Sequence, residues 1–94
     1  YQVKVLPDIN YVLEGTTQIF DIRLWLNNSQ QSDAFTFSVA SGNTVPTANY
    51  TWAVLSSYTF YIQNLAKYLE APLVINCVSG SNTKALSITL KGRW

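Results

Sequence analysis

The sequence predicts an all-β domain, a Greek-key β-sandwich of about seven strands, on three observations. Strict alternation of apolar and polar residues, the mark of a half-buried strand, recurs along the chain and is longest from Thr16 to Leu26. Turn signals rich in Gly, Pro, Asn and Ser separate these runs roughly every eight to twelve residues, the spacing of sandwich folds. The chain has 94 residues, 48% of them hydrophobic, which suffices for one core without a second lobe to form a cleft.

Tyr1–Leu6 is the first expected strand, with Val3 and Val5 alternating against Gln2 and Lys4. Pro7-Asp8-Ile9-Asn10 is a turn by its proline and Asx chemistry, and Tyr11–Leu13 a short continuation that crosses between sheets. After the turn at Glu14-Gly15, Phe20, Ile22, Leu24 and Leu26 fall on one face of the long strand; Ile19, Asp21, Arg23 and Trp25 fall on the other. The polar run Asn27–Asp33 has the length of a connection between sheets rather than of a tight hairpin. Ala34–Ala40 is a strand with Phe35, Phe37 and Val39 inward. Ser41–Thr44 is a turn, and Pro46 confines its neighbourhood to an edge or a loop. Tyr50–Leu55 and Tyr58–Gln63 make a hairpin about Ser56-Ser57, with Tyr50, Trp52, Val54, Tyr58, Phe60 and Ile62 on one face.

Asn64–Glu70 reads as a short helical crossover, because Leu65, Tyr68 and Leu69 have i, i+3, i+4 spacing and Asn64 can cap the start, with Pro72 ending it. Leu73–Val78 and Thr83–Lys91 are the last strands, joined by Ser79–Asn82; Trp94 keeps the phase of Leu86, Ile88 and Leu90 and is expected to cover the end of the core. The expected core is Phe20, Ile22, Leu24, Phe35, Phe37, Val39, Trp52, Val54, Phe60, Ile62, Leu73, Ile75, Cys77, Leu86, Ile88 and Leu90.

The passage Val12-x-Glu14-Gly15-x-Thr17-x-x-Phe20-x-Ile22-x-Leu24 resembles the A′-to-B passage of immunoglobulin-like domains of the bacterial and phage surface-protein type. A short crossover at Asn64–Glu70 leading into Leu73–Val78 is similar to their E–F connection. The paired cysteines of antibody domains are absent, and Ile75 stands where the corner tyrosine would be, with Tyr68 available for a displaced version of that part. The resemblance implies an immunoglobulin-like Greek-key sandwich with a short helical crossover. It also implies a non-catalytic module within a larger virion or cell-surface polypeptide, making contacts with neighbouring subunits or domains.

Composition narrows the function classes. Charged residues are only 12%, the net charge is +1, and no charge occurs from Ala34 to Ala66. A chain without a basic stripe is not built for nucleic acid. Neutral polar residues keep such a stretch soluble, or neighbouring chains cover it. No apolar run approaches the roughly eighteen residues of a membrane span. Tyr rather than Met stands first and no signal peptide is visible, so we expect a chain processed, or cut from a longer one. Cys77 is the only cysteine and there is no histidine, so no internal disulfide, zinc site or thiol–imidazole pair is expected. The missing disulfide points away from a small animal-secreted module and toward a virion or the cell surface.

Asp8, Asn10 and Glu14 are close enough in sequence to offer oxygen ligands to calcium, but an Asx turn beside a solvated glutamate accounts for them, and no metal or other cofactor is expected. The remaining acids suggest no dyad. The candidate binding residues are therefore Trp25, Arg23 and Tyr61. Trp25 and Tyr61 are out of phase with the core and expected on one outer face with Ile19 and Ala53, if their strands pair. Such a face is a docking patch for a protein neighbour or, as the alternative, the stacking platform of a carbohydrate-binding module engaging a glycan.

Overall fold

The computed structural model describes residues 1–65 and 70–92 of the chain. The expected all-β sandwich is what forms. The first sheet contains β1 (Gln2–Leu6), β3 (Thr17–Leu26), β7 (Thr59–Asn64) and β6 (Tyr50–Val54), in the spatial order β1-β3-β7-β6. A two-residue strand, β4 (Ser29–Gln30), folds back on the end of β3. The second sheet contains β2 (Tyr11–Leu13), β9 (Asn82–Lys91), β8 (Glu70–Ser79) and β5 (Thr36–Val39), in the order β2-β9-β8-β5. All pairs are antiparallel except β2 with β9.

The register of β3 follows from its alternation. Phe20, Ile22 and Leu24 are fully buried, and a slip by one residue would exchange them for Asp21 and Arg23. The core joins both sheets through aromatic packing. Phe60 stacks on its cross-strand partner Phe20 (centroids 5.4 Å apart), meets Trp52 edge-on at 6.4 Å, and contacts Phe37 of the opposite sheet at 5.0 Å. Phe35, Phe37, Ile62, Leu73, Ile75, Cys77, Ile88 and Leu90 are buried as expected; Val39, Trp52 and Leu86 are partly so.

Two turns depend on special backbone conformations. Gly15 (φ +77°) turns the chain from β2 into β3, donating its N–H to the Asn64 carbonyl. Gly80 (φ +60°) is the first of the two residues joining β8 to β9, the position at which a type II′ hairpin requires glycine. Pro72 lies inside β8 rather than before it. At that point β8 has β9 on one side only, because pairing with β5 begins at Ile75, so the missing N–H costs no ladder bond there.

Four expectations are corrected. Asn27–Asp33 is not a simple connection between sheets: Asn27 (φ 48°) and Asn28 (φ 66°) occupy both left-handed positions of a tight turn, and β3 reverses into β4. Asn64 is not the start of the crossover but the last residue of β7, and Glu70 already belongs to β8; the helix start that Asn64 was expected to cap lies outside the described residues. The helical crossover between them falls on residues 66–69, outside the described residues, as do the expected roles of Tyr68 and Trp94. Val54 is half exposed (51%), because it ends an edge strand beyond the cover of the second sheet. Val12, Val45 and Tyr50 are buried beyond the expected list; Val45 lies in the loop, where the Asn43 side chain brackets its backbone.

Candidate interaction site on the outer face of the first sheet

Alternation along β3 places Ile19, Asp21, Arg23 and Trp25 on the outer face. The flanking strands then supply fixed neighbours. β1 sets Gln2 opposite Trp25, Lys4 opposite Arg23 and Leu6 opposite Asp21. β7 sets Thr59 opposite Asp21 and Tyr61 opposite Ile19.

Lys4 and Arg23 are like charges directly across two strands, an arrangement that is destabilising unless relieved. The two heads part in opposite directions. Arg23 Nε donates to Asp21 Oδ1 at 2.8 Å and Nη2 to Oδ2 at 3.3 Å, a two-pronged ion pair. Its guanidinium carbon also lies 3.9 Å from the centre of the Tyr58 ring. Lys4 turns the other way, placing Nζ 4.2 Å from the centre of the Trp25 ring. Each cation thus keeps a partner, and contacts of this kind contribute about 0.5–1 kcal/mol where exposed. The hydrogen bond to Asp21 raises the Arg23 pKa above its ordinary value, opposed by partial desolvation and reinforced by the charge of Asp21 and by Tyr58.

Tyr58, expected on one face with Phe60 and Ile62, is half-buried and immediately precedes β7. Its hydroxyl donates to the Ser32 carbonyl, and the adjacent Ser57 carbonyl accepts from Phe35 N–H at 2.9 Å. These bonds tie the chain after β4 to β7, which holds the Tyr58 ring as a platform beneath Arg23. Between the two cations is a shallow depression of about 260 Å³, lined by Lys4, Leu6, Arg23, Trp25 and Gln30. Leu6 at its rim is 64% exposed. Two cations, one paired acid and an apolar floor suit a partner surface that offers an apolar side chain and a carboxylate.

Of the sequence-predicted residues, the structure brings Arg23 and Trp25 together but not Tyr61. Tyr61 is level with Ile19, and from Ile19 to Trp25 the strand rises about 20 Å. Tyr61, Ile19 and Ala53 form a separate strip across β7, β3 and β6. Trp25 and Tyr61 are therefore not one stacking platform, and Lys4 already lies over the Trp25 ring. Lys4, Leu6, Gln30 and Tyr58 were not foreseen. Lys4 and Leu6 become neighbours once β1 is paired with β3. Gln30 follows from the Asn27-Asn28 turn, whose tolerance of left-handed backbone is a readable signal.

Among the described residues, no group of three or more His, Cys, Asp or Glu side chains could hold a metal ion. Cys77 is fully buried between the sheets, with Sγ 3.9 Å from the Ile75 carbonyl. Burial pushes its pKa up to about 12, with a small opposing effect from Lys84. Below pH 9 the thiol is neutral whether folded or unfolded. Above that, the unfolded thiol ionises while the folded one keeps its proton, so stability falls as pH rises from about 9 toward 12. Comparison with Cys77→Ala isolates this effect. The stability advantage of wild type over the variant should shrink by about 1.4 kcal/mol per pH unit across that window, measured by urea unfolding. A constant difference would contradict it.

No family model matches the chain, and no curated protein matches it in sequence.

Proposed function

We propose that this domain is a non-catalytic, immunoglobulin-like interaction module of a phage virion or bacterial cell-surface protein, which engages a neighbouring protein subunit or domain through Arg23 and Trp25. The strand orders support the fold reading: β1-β3-β7-β6 corresponds to the A-B-E-D sheet and β5-β8-β9 to C-F-G, with β2 as an A′ strand beside the last. The observation that carries the function is the patch itself: a half-exposed tryptophan, an exposed leucine and two oriented cations around one shallow depression. Tryptophan and arginine are the side chains that most often dominate protein interfaces. The low charge and the absence of a disulfide support a virion or surface setting.

The test uses the full parent polypeptide. Trp25→Ala and Arg23→Glu should each reduce incorporation into the particle or surface assembly by about tenfold, the effect of losing one interface anchor. Their melting temperatures should stay close to wild type, whereas Leu24→Ala, a core change, should lower melting instead. Assembly unchanged by both outer-face variants would remove the basis of this reading. Saturable binding on a glycan array, lost in Trp25→Ala, would replace the protein partner with a sugar.

A further inference from the structure

The patch above leaves a second feature unused, the open edge of β9. β8 pairs with β9 along its whole length, but β2 pairs with it only from Thr89 to Lys91. The direction of the free backbone groups follows from two bonds on the β2 side. Thr89 N–H donates to the Asn10 carbonyl at 2.7 Å, and the Lys91 carbonyl accepts from Glu14 N–H at 2.8 Å. Since backbone groups alternate along a strand, Thr83, Ala85 and Ser87 present their N–H and C=O groups to the same edge, without a strand beside them. All three are exposed, and none carries a side chain larger than threonine.

Edges of this kind are usually blunted by proline, a bulge or a charged residue. Here the charged residue is Lys84. It shares the phase of Leu86 and Ile88 and so faces the cleft between β9 and β1 rather than the outer surface. Lys84 lines each of three depressions along that cleft, of about 320, 450 and 380 Å³. Val5, Phe20, Leu86 and Ile88 give the first an apolar floor. Lys84 forms no ion pair among the described residues.

We propose that this edge receives an extended strand of a partner polypeptide. The strand hydrogen-bonds to Thr83, Ala85 and Ser87, sets a carboxylate against Lys84, and lays apolar side chains over Leu86 and Ile88. Only a polypeptide backbone repeats donors and acceptors at the spacing of the edge, and alternate side chains reaching one face supply the selectivity. Asp8 lines two of the three depressions, but Lys84 together with Lys4 outnumbers it, and this positive balance selects an acidic partner over a second copy, whose own β9 would bring a lysine into the cleft.

The probe is an end-capped seven-residue peptide of alternating threonines, with glutamate, valine and valine on its other face, made in both orders to allow parallel and antiparallel pairing. Titrated into the isotope-labelled chain, it should shift the amide resonances of Thr83, Ala85 and Ser87 and slow their hydrogen exchange. Lys84→Glu should weaken binding roughly tenfold, because a cross-strand attraction becomes a repulsion. A peptide with lysine in place of glutamate should restore it. Ala85→Pro should abolish binding while leaving the β8 ladder intact, since that N–H faces the open edge. Unshifted amides at millimolar peptide, or binding indifferent to Lys84→Glu, would overturn the proposal. Self-association of the free chain, lost in Ala85→Pro, would assign the edge to a second copy instead.

Discussion

Phe60→Ala is expected to lower the unfolding free energy by about 3–5 kcal/mol, the range for removing a buried aromatic ring. Phe60 is fully buried and touches three other rings, one of them from the opposite sheet. Its removal therefore opens a cavity at the junction of the sheets, where Phe20, Phe37 and Trp52 cannot all move in to fill it. Domains of this size have total stabilities of about 5–15 kcal/mol, so the loss is a large part of the whole. Phe60→Leu retains most of the volume and should cost distinctly less. Urea unfolding followed by tryptophan fluorescence measures both; a loss under about 1 kcal/mol for the alanine variant would mean that the aromatic cluster does not organise the core.

Asn64→Leu should cost about 2–3 kcal/mol despite adding apolar surface to a buried site, because it removes the side-chain donor from the buried Val12 carbonyl and one of the two donors from the Lys91 carbonyl. Asn64 is fully buried at the end of β7. Its side-chain Nδ2 donates to the Val12 carbonyl at 2.7 Å and to the Lys91 carbonyl at 3.2 Å. Its backbone meanwhile exchanges bonds with Gly15 and Thr16 at the start of β3. One residue thus fastens the first sheet to β2 and β9 of the second. Asn64→Asp should be worse at neutral pH, since it points a carboxylate at two carbonyl oxygens. Part of that loss should return in acid, where the protonated carboxyl can donate one bond. The expected readouts are a lowered denaturation midpoint for both variants and an acid-dependent recovery for the aspartate alone. Unchanged midpoints would show that the two carbonyls find other donors.

Asn64 also illustrates what local reading misses. An asparagine followed by Leu65, Tyr68 and Leu69 at helical spacing has the local features of a capped helix start and of nothing else. The residue also ends β7, and its side-chain nitrogen satisfies carbonyls from segments 52 and 27 positions away in sequence, a role with no local signature. Tyr61 makes the same point for the candidate site. Alternation placed it on the outer face with Trp25, and it is on that face, yet the pairing of β3 with β7 sets it beside Ile19 instead. Phase specifies which side of a sheet a residue occupies; only register specifies how far along.

The sequence by itself determined the all-β class, the inward face of nearly every long strand, the β6–β7 and β8–β9 hairpins and the structural place of Cys77. These depend on side-chain period and turn chemistry, which are properties of neighbouring residues. Tertiary structure alone decided that Lys4 and Leu6 join Arg23 and Trp25, that Asn64 locks the two sheets, and that β9 keeps an open edge beside Lys84. Each of these depends on which strands pair and in what register, and the hydrogen bonds that set pairing are made between segments far apart in the chain.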